Sequence, residues 1–277
     1  MSALVMPISK SRLFKQYLRW LPVKIGVMNK AAFQLQINHI LPDDIFVVSY
    51  PKSGNTWVRY ILAYLISGSK WSLTSFEVDQ LIPDVYVSKD LIDRIKSNRF
   101  IKTHDPLFSY YPKSIYIYRD YRDVLVSYFH YKKALGEYQG DFSSFIRSNE
   151  MNHPFGSWKA HVTKALDFKL NHPNSMLLLQ YESLKNNFEN VLLQIAQFCG
   201  IEDYNAELIK EKTSFRQVRT MEDKYGSQFK NHSGMNFFRT GEEGSWRAEF
   251  TKEDLDFIFS DTALASLMQR LNYNLVG

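Results

Sequence analysis

Four short apolar runs lie within the first 180 residues: IFVVS (45–49), RFIKT (99–103), SIYIY (114–118) and SMLLLQ (175–180). They are rich in Val, Ile, Leu and Tyr and are continuous rather than alternating, which predicts strands covered on both faces. Between and after them the apolar residues recur at helical spacing. TWVRYILAYLIS sets Trp57, Ile61, Tyr64 and Leu65 on one side; RDVLVSYFHYKKAL, GSWKAHVTKALDFKL and NNFENVLLQIAQFCG follow the same rule, the last closed by Gly200. Strands alternating with helices predict an α/β three-layer fold, a central mainly parallel sheet flanked by helices. No repeat, low-complexity stretch or linker divides the sequence, so residues 1–277 read as a single domain with a helical N-terminal segment over 1–40. From about 220 to 248 periodicity fades and four glycines appear, which predicts a long surface segment able to close over a ligand.

Composition narrows the picture. A chain of 277 residues is long enough for a substantial core, and with 20 Phe, 17 Tyr and 5 Trp, aromatics such as Phe76, Tyr86, Phe108, Tyr131 and Tyr138 are offered either for an apolar acceptor pocket or for the core. The formal charge of +5 is too small and too dispersed for nucleic-acid binding but suits one basic pocket holding an anion. A single cysteine, Cys199, excludes an internal disulfide framework and points to a reducing, cytoplasmic compartment. No run approaches the roughly 20 apolar residues of a membrane span, and no signal-peptide pattern opens the chain. In SRLFKQYLRWLPVKIG, Arg12, Lys15, Arg19 and Lys24 interleave with apolar residues; this fits a terminal helix packed on its own domain, or one making peripheral membrane contact.

Candidate chemistry begins at YPKSGNTW, residues 50–57. Strand, glycine-containing loop and helix together aim backbone N–H groups and a positive helix end at an anion. The order Lys52-Ser53-Gly54 is not the nucleotide P-loop, which needs glycine directly before the lysine. A tight βα turn with an exposed lysine is the plainer alternative. After SIYIY, Arg119 sits at a strand end with Ser127 two helical turns on, a guanidinium and a hydroxyl suited to a second phosphate. Pairing of Arg119 with Asp120 or Asp123 is the alternative there. Lys102 and His104, in FIKTHDPL, follow another strand, so three basic sites converge on the strand carboxyl ends, where open α/β sheets bind ligands.

With these segments the chain resembles the cytosolic sulfotransferases, which move a sulfuryl group from 3′-phosphoadenosine 5′-phosphosulfate (PAPS) to a hydroxyl or amine and release PAP. The resemblance runs from about residue 40 to 260 and its segments keep the family order: YPKSGNTW, IKTH, YRDYRDVLVSYFHY, FGSW, LQYESLKNN, KTSFRQVR and FFRTGEEGSWRAEFT. It implies a P-loop-like phosphosulfate loop in which Lys52 contacts the leaving oxygen and Ser53, Gly54, Asn55 and Thr56 hold the 5′-phosphate. It implies Trp57 stacked on adenine opposite Phe215, with Tyr181 and Thr213 at the edge. Arg119, Ser127, Arg239, Thr240 and Gly241 fall on the 3′-phosphate element and the closing loop. The catalytic set it implies is His104, Lys52, Lys102 and Ser127, with no metal and a small hydroxyl-bearing acceptor. The aromatic members, read without the resemblance, are core residues.

The chemistry suits the residue types. Sulfuryl transfer, like phosphoryl transfer, proceeds in line through a loose transition state, so lysines neutralise charge on the leaving side. The acceptor must lose a proton, and an imidazole with an intrinsic pKa of about 6.5 takes it at neutral pH. Three positions depart from the family pattern: Thr240 replaces the lysine of Arg-Lys-Gly, Ser245 replaces an aspartate, and the dimer motif appears as Arg247, Thr251-Lys252 and Asp256. A nucleotide kinase would show Gly-Lys-Ser/Thr and a metal-holding aspartate. A non-catalytic PAPS-binding or membrane-surface protein would not need Lys52, Lys102 and His104 together.

Overall fold

The computed structural model describes residues 35–148, 154–225 and 241–275. Four strands, β1 (Ile45–Ser49), β2 (Phe100–Thr103), β3 (Lys113–Tyr118) and β4 (Met176–Gln180), form one sheet in the order β2-β1-β3-β4, every pairing parallel. Each falls within one residue of its apolar run. The runs are continuous because both faces are covered. Phe46, Val48, Ile101 and Tyr116 pack with Val124, Leu125, Trp158 and Met268 in one core, whereas Ile45, Val47, Ile115 and Ile117 pack with Val58, Ile61, Leu62 and Ile195 in the other. Full burial of one such side chain contributes about 1.5–3 kcal/mol, so neither layer can be removed cheaply.

Around the sheet lie α1 (Asn55–Ser67), α2 (Ser75–Leu81), α3 (Lys89–Arg94), α4 (Tyr121–Ala134), α5 (Phe142–Arg147), α6 (Trp158–Asn171), α7 (Ser183–Asn186), α8 (Phe188–Cys199), α9 (Ala206–Lys212), α10 (Phe215–Tyr225), α11 (Lys252–Phe259) and α12 (Thr262–Arg270). The four helices expected from periodicity are α1, α4, α6 and α8, and α8 ends at left-handed Gly200, φ 70°. Short helices escaped the pattern because one or two turns repeat it too little; side chains cap them instead, as in the Thr74–Glu77 and Thr251–Asp254 capping boxes. The segment from 220 is not irregular from its start: α10 continues to Tyr225, anchored by buried Val218. Most of the expected N-terminal helix lies outside the described residues.

The strand order places the site. From β1 the chain crosses to β2 on one side, then returns to β3 on the other, so a crevice opens at the carboxyl ends of β1 and β3.

Candidate active site

Residues 50–54 turn from β1 into α1 through two left-handed conformations, Lys52 at φ 68° and Gly54 at φ 96°. A lysine there carries strain of about 1–2 kcal/mol, and such turns point successive N–H groups into one concavity. Gly54 caps α1 with no side-chain bond, so the first amides of the helix face the crevice. Asn55 ties the turn down: its Nδ2 donates to the Val47 carbonyl and to Ser49 Oγ, both at 3.2 Å. Ser53 Oγ, Asn55 Oδ1 and Arg119 Nε are buried without a hydrogen-bond partner among the described residues. Lys52 is half-buried, with its ammonium 4.3 Å from the Tyr131 ring centre. Lys52 is thus not the exposed lysine of a plain tight turn.

Tyr181, just after β4, joins this turn to the Arg119 element. Its ring lies 4.3 Å from the Arg119 guanidinium and edge-on to Trp57 at 5.5 Å, and its hydroxyl donates to the Gly241 carbonyl at 3.2 Å. A Cβ on Gly54 would meet that ring at 2.2 Å, so the close approach demands glycine. Burial pushes the Tyr181 hydroxyl above its ordinary range, against the pull of the Arg119 charge.

Arg119 follows β3. Its Nη2 donates to the Glu242 carbonyl at 2.8 Å and lies 3.7 Å from Asp123, one turn along α4. The ion pair weighed against a phosphate role therefore exists with Asp123, while Asp120 takes Arg122 in a two-pronged pair. The Asp123 carboxylate is mainly occupied elsewhere: it accepts from the Gly244 amide, the Ser245 hydroxyl and the Trp246 amide at 2.8, 2.9 and 3.0 Å. Asp123 thus fastens the end of the closing segment to α4, and Ser245 donates where a second aspartate would face it. Ser127 lies half-buried farther along α4. Arg239 and Thr240 lie outside the described residues.

On the other side of the turn, Trp57 Nε1 donates to the Thr213 carbonyl at 2.8 Å, and the Thr213 hydroxyl is taken up by the Ile209 carbonyl. Phe215 begins α10 against Gly241, where a Cβ would meet its ring at 2.2 Å. Trp57, Tyr181, Thr213, Phe215 and Gly241 are thereby brought together beside the turn at residues 50–54.

His104 leaves β2 on the far side of β1. Its Nδ1 lies 2.7 Å from the Ser49 carbonyl, and its ring stands near Tyr86 and Phe155, 6.1 and 5.5 Å between centres. Because a carbonyl only accepts, Nδ1 carries the proton of the neutral ring and Nε2 is its basic nitrogen. The Tyr86 hydroxyl accepts from the His104 amide at 2.8 Å and donates to Asp105 at 2.7 Å. Burial first, then the Asp105 charge, holds that hydroxyl far above its usual range, so it stays protonated. Lys102 is engaged with Asp84, Nζ to Oδ2 2.8 Å, and sits 4.8 Å over the Tyr86 ring. Burial lowers its pKa and the Asp84 charge opposes that.

Of the aromatics the sequence offered for an acceptor pocket, Tyr86 stands beside His104 and Tyr131 under Lys52, whereas Phe108 is core, 1% exposed, and Tyr138 packs on Phe129 and Phe145. The sequence reading missed Asp84 and His161, and gave Asp123 no part in holding the closing segment. Their signals are hydrogen bonds between distant segments. Among the described residues no group of three or more His, Cys, Asp or Glu is placed to hold a metal ion, and no helix is long and apolar enough to cross a membrane.

The Sulfotransferase domain family matches residues 42–270. Sulfotransferase 1B1 of Canis lupus familiaris is 29% identical, the match covering 83% of this chain and 87% of that protein. The crystal structure of mouse sulfotransferase SULT7A1 complexed with PAP superposes with a TM-score of 0.64 at 27% identity, over 84% of this chain and 86% of that one. Retinol dehydratase in a complex with retinol and PAP shares the fold, with a TM-score of 0.63 at 22% identity over 83% and 82% of the two chains. With its parallel sheet, its turn after β1 and a family match spanning most of its length, the chain belongs to the sulfotransferase family.

Proposed function

We propose that this enzyme transfers the sulfuryl group of PAPS to the hydroxyl of a small acceptor, less readily to an amine, and releases PAP. One observation carries the catalytic reading: the Ser49 carbonyl fixes the His104 tautomer, so the basic Nε2 belongs to a ring anchored beside the phosphate turn. The donor set fits the co-substrate, since the unpartnered Ser53 Oγ and Arg119 Nε lie in the two elements assigned to the two phosphates. Lys52 and the amides of Ser53, Gly54, Asn55 and Thr56 hold the 5′-phosphate side; Arg119 and Ser127, with Arg239, Thr240 and Gly241, hold the 3′-phosphate. Trp57, Phe215, Tyr181 and Thr213 frame the base.

In the transfer, the S–O bond to the 5′-phosphate breaks as the bond from the acceptor oxygen to sulfur forms. Lys52 and Lys102 offset charge on the transferring group and leaving oxygen, and the acceptor proton passes to His104 Nε2. The acceptor is apolar beside its hydroxyl, because Tyr86 and Phe155 flank the histidine; the retinol in the retinol dehydratase complex is a molecule of that kind.

The test is incubation with sulfur-labelled PAPS and a panel of phenols, alcohols and amines, without added metal. Label is expected in a hydroxyl compound. Calorimetry in which ATP with magnesium binds more tightly than PAP would overturn the reading.

A further inference from the structure

We infer that His161, backed by Tyr116, is a positioning residue that holds the His104 peptide for catalysis; the inference rests on the reading of His104 as the base. His161 belongs to the segment opened by FGSW. Gly156 turns the chain at φ 83°, and Ser157 caps α6 by accepting from the Ala160 amide at 3.2 Å. Phe155, before the turn, faces the His104 ring, and Trp158, at the helix start, is buried against Tyr121 at 5.2 Å. His161, three residues on, lies on the same side of the helix and is 1% exposed.

Each nitrogen of His161 has a partner that fixes its role. Nε2 is 2.9 Å from the His104 carbonyl, which only accepts, so Nε2 carries the proton. Nδ1 of the neutral ring then accepts from the Tyr116 hydroxyl at 2.7 Å. Tyr116 is wholly buried in β3, and burial keeps its hydroxyl protonated, hence a donor. The two rings also stack, 5.5 Å and 24° apart. Proton donation therefore runs from Tyr116 to His161 to the His104 carbonyl.

The base is held from three elements: its carbonyl by His161 of α6, its amide by the Tyr86 hydroxyl, and its ring Nδ1 by the Ser49 carbonyl of β1. Burying an imidazole is costly where an apolar ring would fill the space, and the donor to His104 accounts for it. The FGSW signature thus gains a purpose, since one helix start delivers both Phe155 and His161 to His104.

The test compares His161→Phe, which keeps ring bulk and removes the donor, with His161→Gln, whose carboxamide can donate to the same carbonyl. His161→Phe is expected to lower turnover by about 10- to 100-fold, as a small misplacement of a catalytic group does, with PAP affinity unchanged within about twofold. His161→Gln is expected to recover most of that loss. Histidine-ring NMR of the protein without acceptor or PAPS supplies a readout independent of activity: the His104 signals are expected to shift in His161→Phe and to stay near wild type in His161→Gln. Equal losses in the two variants, or an unmoved His104 signal in His161→Phe, overturn the inference. Should His161→Phe not accumulate as folded protein, Tyr116→Phe removes one oxygen atom and must itself move the His104 signal; no movement overturns the inference as well. Wild-type turnover in His104→Ala would instead overturn the general-base reading, a result separable from any outcome at His161.

Discussion

His104 Nδ1 and the Ser49 carbonyl oxygen lie 2.7 Å apart, so the candidate base on the β2 loop is tied to the last residue of β1, where the Lys52 turn begins. His104→Ala removes the proposed base and its bond to the Ser49 carbonyl, and leaves residues 50–54 themselves unchanged. Turnover is expected to fall by about 10²- to 10⁴-fold with an acceptor of high pKa, while PAP affinity stays near wild type. If the ring only braced the strand end, melting temperature would drop and turnover per folded molecule would persist. Turnover, PAP calorimetry and melting on one preparation separate the two.

Arg119 serves two masters, the Glu242 carbonyl and, on the proposed function, the 3′-phosphate. Arg119→Ala is expected to weaken PAP binding by about 1.5–3 kcal/mol, the loss of a charge-assisted hydrogen bond. Arg119→Lys keeps the charge and loses the fork, so it is expected to recover only part of that affinity. Unchanged affinity in folded Arg119→Ala, measured calorimetrically, would assign Arg119 to the Glu242 contact alone.

These two residues show how far the sequence could be read. The strands were legible because side chains of both parities are apolar, Ile45 and Val47 for one core and Phe46 and Val48 for the other. The Lys52 turn and Arg119 were legible because each directly follows such a run. Asp123 was legible only as a neighbour of Arg119; its three bonds to 244–246 cross more than 120 residues, and no local pattern encodes them. His161 looked like one polar residue on a helix, since its partners belong to β3 and the β2 loop. Tyr86 was read for its ring, whereas its hydroxyl does the linking to His104 and Asp105. Lys102 was read as a bare cation because Asp84 is 18 residues away, in the loop before α3.

Gly54 faces the Tyr181 ring across a gap that admits no Cβ, and its φ of 96° is itself disfavoured for any side chain. Gly54→Ala is therefore expected to cost stability from both causes, the backbone share alone being about 1–2 kcal/mol. PAP should raise the melting temperature of the variant much less than that of wild type, because displacing the turn disturbs the proposed 5′-phosphate contacts. Pairing it with Tyr181→Ala relieves the clash but not the φ, so the double variant should regain only part of the stability. Full recovery in thermal melts would show that the ring contact alone demands glycine.

Lys102 and Asp84 form a largely buried pair, side chains 12% and 13% exposed, in which burial and the carboxylate charge act on the lysine in opposite directions. Burial lowers its pKa and the Asp84 carboxylate raises it, so Asp84→Asn leaves burial less opposed and the pKa falls further. Between the folded value and the ordinary value of about 10.4, the unfolded chain binds more protons than the native one, so stability rises with pH across that window. Asp84→Asn extends the window downward. Breaking the pair is expected to cost about 3 kcal/mol at pH 7, and the deficit should shrink as pH approaches 10. Turnover should move the opposite way: where the ammonium is needed to offset charge in the transfer, the alkaline fall in rate begins at lower pH in Asp84→Asn than in wild type. Denaturant unfolding and rate–pH profiles on the two proteins check both limbs. A deficit constant from pH 7 to 10, with superimposable rate profiles, would mean that Asp84 does not govern the protonation of Lys102.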